Sequence, residues 1–142
     1  MEVRVMGLFK VFDIAGSSMS AQSLRMNTTA SNLANAGSAA GSAEAAYRSK
    51  QPVFQAVLNE ISGDGASSGV RVKGVVESSA PPVKVHQPGH PLADKDGFIW
   101  MSNVNPIDEM VNMISASRSY QNSVEVLNTS KDLLLRTLSI GQ

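Results

Sequence analysis

PIDEMVNMISASRSYQNSVEVLNTSKDLLLRTLS, residues 106–139, is the stretch that decides how this chain folds. Met110, Met113, Ser117, Tyr120, Val124, Leu127, Lys131, Leu134 and Leu138 alternate three and four apart, a heptad seam whose polar interruptions are Ser117 and Lys131. Asn105 offers a capping oxygen, Pro106 suits the first helical position, and Asp108 and Glu109 suit the positive end of the helix dipole. Lys131 and Arg136 lie toward the negative end, and Gly141 is placed to stop the helix. At 1.5 Å per residue such a helix is about 50 Å long. A compact domain of this size has no need of that length, so the helix should pack against something elongated.

A second helix is expected from the start of the chain to about residue 36. Phe12, Ala15, Met19, Ser23, Met26, Ala30 and Leu33 recur at spacings of three and four and form one apolar stripe. The faces around it are unusual. Between residues 11 and 43 the only charges are Asp13 and Arg25, and the rest is Ser, Thr, Asn, Gln and Ala. Two arrangements fit: a small bundle whose exposed side is neutral, or a helix packed on several sides by other chains. The second accounts better for the shortage of charge, because a surface helix ordinarily carries charge opposite its apolar face.

Between the helices, residues 37–105 hold five of the six prolines and most of the turn formers. GSAAGSAEAA reads as a linker or mobile arm, too poor in large apolar groups to build a core. VRVKGVVES, PVKVHQP and GFIWMS read as short β-runs, with Pro81-Pro82 and DKDG at 94–97 as turns between them. The expected fold is therefore mainly α. Long N- and C-terminal helices, 1–36 and 106–142, pair as an antiparallel coiled coil, with a small β-rich insertion at 37–105.

The whole chain has 142 residues, enough for one domain but not comfortably two. Twelve Lys and Arg balance twelve Asp and Glu, and only 17% of residues are charged. A phosphate-binding surface needs a clear cationic excess, so nucleic acid is disfavoured. Low net charge also removes the repulsion that keeps monomers apart. Without cysteine there is no disulfide, zinc–thiolate site or thiol nucleophile. Asp13 and Gly7 break the apolar run that a cleaved secretory signal requires, and no stretch is long and apolar enough to span a membrane.

Catalytic chemistry finds little support. His86 and His90 with Asp94 and Asp96 are metal-ligand types, but Pro88, Gly89 and Pro91 forbid the helix that would align the imidazoles. They read as solvated loop histidines. Asp94-Lys-Asp-Gly97 opens like a calcium loop, but Ile99 and Asn105 stand where the glycine and glutamate belong. It reads as a turn in which Gly97 takes positive φ. No GxSxG elbow, phosphate loop or dinucleotide fingerprint is present. No enzyme, cofactor or metal is expected, and a soluble α-hairpin adaptor remains as an alternative to an assembly subunit.

LFKVFDIAGSSMSAQSLRMNTTASNLANAGS resembles the N-terminal segment of bacterial flagellar rod and hook proteins, whose shared element is SNLANA, here Ser31 to Ala36. EMVNMISASRSYQNSVEVLNTSKDLLLRTLSIGQ is similar to the C-terminal helix of the same family. YRSKQPVFQ and PGHPLADKDGFIWMSNVNP, with a short middle region, resemble its proximal rod branch. Residues 1–5 and the Gly/Ser segment around 62–69 look like local variation. The resemblance implies a structural subunit of the basal-body rod, a hollow drive shaft that crosses the periplasm, transmits torque and surrounds the export channel. It implies passage through the flagellar type III apparatus without signal cleavage. Expected neighbours are other copies, the rod proteins FlgB and FlgF, and the adaptor FliE, with no nucleic acid and no membrane span. The expected subunit-interface residues are Phe12, Met19, Met26, Asn32, Leu33 and Asn35 on the first helix. On the second they are Met113, Tyr120, Val124, Leu127, Leu134 and Leu138. Asn32, Asn35, Asn112 and Asn122 are expected to make directional hydrogen bonds between chains, fixing register.

Overall fold

Helix α2 starts where the capping chemistry places it. Asn105 Oδ1 accepts from the Ile107 N–H at 3.1 Å, and the Asn105 carbonyl accepts from the Glu109 N–H at 3.1 Å. The helix runs over Pro106–Ile140. It is the last element in a computed structural model that describes residues 2–58 and 67–140. Gly141 and most of the 62–69 segment lie outside the described residues. In chain order the elements are α1 (Glu2–Asn35), β1 (Ala39–Ala40), β2 (Lys50–Leu58), β3 (Ser67–Glu77), β4 (Val83–His86), β5 (Phe98–Met101) and α2.

The chain forms two compact units. One comprises Met1–Leu24, Val53–Gly74 and Ser115–Gln142; the other comprises Arg25–Pro52 and Val75–Ile114. The second holds a three-stranded antiparallel sheet, ordered β1-β5-β4. Register pairs Val85 with Ile99, Lys84 with Trp100 and His86 with Phe98. Alternation along the strands sends Ile99 and Val85 to one face and Phe98, Trp100, Lys84 and His86 to the other. Ile99 is 1% exposed and is the largest apolar side chain fully buried among the described residues. On the opposite face the Lys84 ammonium lies 4.2 Å from the Phe98 ring centre and 5.3 Å from that of Trp100.

The DKDG turn delivers β5 to this sheet. Asp94 Oδ1 accepts from the N–H groups of Asp96 at 2.9 Å and Phe98 at 2.8 Å. Gly97 closes the turn at φ 79°, in the left-handed region. A Cβ there would stand 3.0 Å from Pro88 Cβ and 3.1 Å from His86 Nε2. Gly97→Val therefore combines backbone strain with a clash. It should lower unfolding free energy by about 2–3 kcal/mol, measured by urea titration of the purified chain. An unchanged midpoint would refute this account of the turn.

In the first unit, α1 and α2 approach through small side chains. Ala15, Ala21, Ala116 and Ser130 are buried, and Ser18 Oγ meets Ser123 Oγ at 3.0 Å. Strand β3 comes equally close. The Val70 N–H donates to Ser17 Oγ at 3.1 Å, and a Cβ on Gly69 would stand 2.6 Å from that oxygen. Gly69 also holds φ at 145°. No larger residue fits between this strand and α1.

Three expectations are corrected. The fold is not mainly α with a small β-rich insertion, because strand makes up 23% of it in two antiparallel sheets. Strands β2 and β3 are 9 and 11 residues long and pair with each other. KQPVFQAVL was not read as a strand because Pro52 sits near its start. The stretch read as a linker contributes β1, whose Ala39 and Ala40 pair with Met101 and Trp100. The α2 seam holds in part: Met113, Ser117, Tyr120, Val124, Leu127 and Leu134 are half-buried. The buried α2 positions are Glu109, Ala116 and Ser130, while Met110, Lys131 and Leu138 are exposed. The seven-residue spacing holds, one residue earlier than the expected seam, because Ala and Ser admit the neighbouring backbone and Met and Leu do not.

Candidate functional site

The end of α1 carries the densest arrangement of polar groups. Asn32 is 0% exposed, and its amide is fully engaged. Nδ2 donates to the Lys50 carbonyl at 2.8 Å and to Ser49 Oγ at 3.4 Å. Oδ1 accepts from the Lys50 N–H at 2.9 Å and the Tyr47 hydroxyl at 3.0 Å. Two donor protons and two acceptor lone pairs are all an amide has. Asn103 holds the adjoining residue: Oδ1 accepts from the Ser49 N–H at 2.7 Å, and Nδ2 donates to the Ala80 carbonyl at 2.8 Å. The Ser49 carbonyl accepts from the Ser78 N–H at 2.7 Å.

The rest of the Ser31–Ala36 word is used locally as well. Ser31 Oγ lies 3.2 Å from the Tyr47 hydroxyl, and Asn35 Nδ2 donates to the Ser31 carbonyl at 2.8 Å. The Ala36 carbonyl accepts from Ser102 Oγ at 2.8 Å. These amides and hydroxyls fix backbone segments; no nucleophile stands beside a base. Asn32, expected to bond between chains, is thus placed inside its own subunit. Asn112 also has an intrachain partner, accepting from Arg25 through Oδ1 at 3.0 Å. Asn122 is exposed on α2.

The other expected interface residues divide by burial. Phe12, Met19, Met26 and Leu33 on α1 are half-buried, as are Met113, Tyr120, Val124, Leu127 and Leu134 on α2; Leu138 is exposed. The sequence reading missed a different apolar line. Ile107, Val111 and Ile114, with Met110 beside them, lie on the outer face of α2 at 68%, 62%, 56% and 50% exposure. Their four- and three-residue spacing was the available signal, outweighed by the longer Met110–Leu138 series. Leu133 and Leu135 are likewise exposed farther along α2.

The histidines take no shared role. His86 belongs to β4 rather than a loop, and its ring packs on Phe98 at 4.9 Å between centres. His90 Nδ1 accepts from the Leu92 N–H at 3.1 Å. Among the described residues no three His, Cys, Asp or Glu side chains gather to hold a metal ion, and no helix is long and apolar enough to cross a membrane.

Residues 12–37 match the family described as "Flagella basal body rod protein", and residues 95–140 match "Flagellar basal body rod FlgEFG protein C-terminal". The chain is 54% identical to the flagellar basal-body rod protein FlgC of Escherichia coli O6:H1, across 96% of this chain and 100% of that one. FlgC of Salmonella typhimurium is 52% identical over the same shares. FlgC of Buchnera aphidicola from Acyrthosiphon pisum is 42% identical, again over 96% and 100%. A likeness that runs over 96% of this chain and the whole of its relatives, joining the polar word at the end of α1 to the C-terminal helix, places this chain in the FlgC family of flagellar basal-body rod proteins.

Proposed function

We infer that this protein is a structural subunit of the proximal rod of the bacterial flagellar basal body, where it assembles with other flagellar components. Its role is structural, not enzymatic. The observation that carries this reading is the full-length identity to FlgC proteins. The distribution of apolar groups supports it independently. Among the described residues the buried apolar side chains include Ala15, Ala21, Ala46, Ala116, Ile99 and Val104, whereas Ile107, Val111, Ile114, Leu133, Leu135 and Leu138 are exposed. A subunit that buries alanines and displays isoleucines and leucines has its larger apolar contacts still to make.

Finer points extend this reading. The rod acts as a hollow shaft that transmits torque and surrounds the export channel, within the periplasm. The subunit is exported by the flagellar type III apparatus without a cleaved signal. Its neighbours are further copies of itself, FlgB, FlgF and the adaptor FliE. The half-buried Phe12, Met19, Met26 and Leu33, with Met113, Tyr120, Val124, Leu127 and Leu134, lend their open edges to those contacts, and Leu138 lends its whole side chain.

The test is deletion followed by complementation with an epitope-tagged chain. Deletion should leave cells non-motile and without rods. Complementation should restore swimming, with the tag recovered in isolated basal bodies. Basal bodies that form normally in the deletion strain would refute the assignment.

A further inference from the structure

Asn32 makes a pair of bonds with one residue that resembles strand pairing. Its Oδ1 takes the Lys50 N–H, and its Nδ2 gives to the Lys50 carbonyl. The side-chain amide thus stands in for a neighbouring peptide group at the first residue of β2. Strand β2 needs such help. A strand's register is firmly set when one of its faces is buried and weakly set otherwise. The β2–β3 sheet has only two strands, and Val53, Phe54, Val70, Val75 and Val76 on it are all exposed. Burial therefore does little to select among registers one residue apart. A slip by one residue would exchange the two faces of β2 and present Phe54 where Val53 had been.

We propose that Asn32 is a positioning residue that sets the register at which β2 leaves the end of α1, and that this clamp must be engaged within the subunit before the hairpin can fit its neighbours in the rod. Asn103, holding the Ser49 N–H, braces the same point from the other side. Asn32 has no hydrogen-bonding capacity left for a second chain. Asparagine suits the position because aspartate lacks the donor, leucine lacks both functions, and glutamine carries the amide one methylene too far. The assembly half of this proposal rests on the rod assignment; the register half does not.

The test uses the full-length chain, with Asn32→Leu as the main variant. Val104→Ala serves as a control, since Val104 is buried in the same unit and lies outside the clamp. Hydrogen exchange at the Lys50 amide is read on the isolated subunit, and rod formation is read in cells. Asn32→Leu, which removes the Oδ1 acceptor as well as the Nδ2 donor, should lose Lys50 protection by at least about 100-fold and form no rods. Val104→Ala, compared at a temperature giving equal overall stability, should keep both. Tyr47→Phe removes one of the two donors to Oδ1. It should reduce protection several-fold with native circular dichroism, which preserves the test if Asn32→Leu fails to fold.

Three results would overturn the proposal. Lost rods with Lys50 protection intact in Asn32→Leu would mean that Asn32 acts between subunits. Equal loss of rods in Val104→Ala would mean that stability alone matters. Normal rods despite lost protection would mean that the clamp is no condition for assembly. Absence of the wild-type chain from basal bodies would refute the rod assignment itself, and the assembly half with it, while the exchange result would still decide the register.

Discussion

Ile107→Glu, Val111→Glu and Ile114→Glu, made together, are expected to leave a folded subunit that forms no rods. The three side chains lie on the outer face of the first turns of α2, at 68%, 62% and 56% exposure, so the isolated chain loses little packing. Carboxylates near a helix N-terminus are also favoured by the dipole. Assembly is another matter. Full burial of an aliphatic side chain is worth about 1.5–3 kcal/mol, so three half-covered ones together contribute roughly 3–5 kcal/mol to a contact. That corresponds to at least about 100-fold in affinity per interface, before the cost of placing carboxylates against an apolar neighbour. Thermal melting of the purified variant should match wild type within a few degrees, while basal-body preparations should lack rods. Rods in normal number would show that this face stays in solvent.

Ile99→Ala should have the largest effect on the fold itself. Ile99 is the central apolar residue of the three-stranded sheet, and the other buried apolar side chains are alanines and Val104. Truncating an isoleucine to alanine in a core costs about 2–5 kcal/mol. A domain has only about 5–15 kcal/mol in total. The variant should lose protection throughout β4 and β5 and unfold at physiological temperature. Chemical denaturation followed by Trp100 fluorescence, reporting from the adjacent residue of β5, measures this directly. A midpoint within experimental error of wild type would show that Ile99 does not organise the sheet.

The start of α2 and the turn before β5 were legible in the sequence because their signals are local. Asn105 and Pro106 mark the start of α2 whatever lies beyond it, and Asp94 and Gly97 form their turn from their own side chain and backbone. Which line of α2 is buried was not legible. Met110, Val124 and Leu134 carry the apolar weight, but the helices approach at Ala116 and Ser123, and only the partner's shape decides that. Strand β2 was hidden for a related reason, since its partner β3 begins beyond a connecting segment and Pro52 argues against a strand when read alone. The Asn32 node required three-dimensional information throughout. It links residues 32, 47, 49, 50 and 103, and no spacing rule joins them.

The alanine-lined approach of α1 and α2 also shapes how this chain can evolve. In most cores the dangerous substitutions remove volume, and neighbouring side chains partly relax into the space. Here, among the described residues, the buried apolar positions on the helices, Ala15, Ala21 and Ala116, have almost no volume to lose. Nearly every codon one base away from alanine encodes something larger, such as valine, threonine, proline or an acidic residue; glycine alone is smaller. Drift at these sites is therefore pushed toward overpacking, which forces the backbones apart. The plainest residues in the sequence are where inherited variation has the least room.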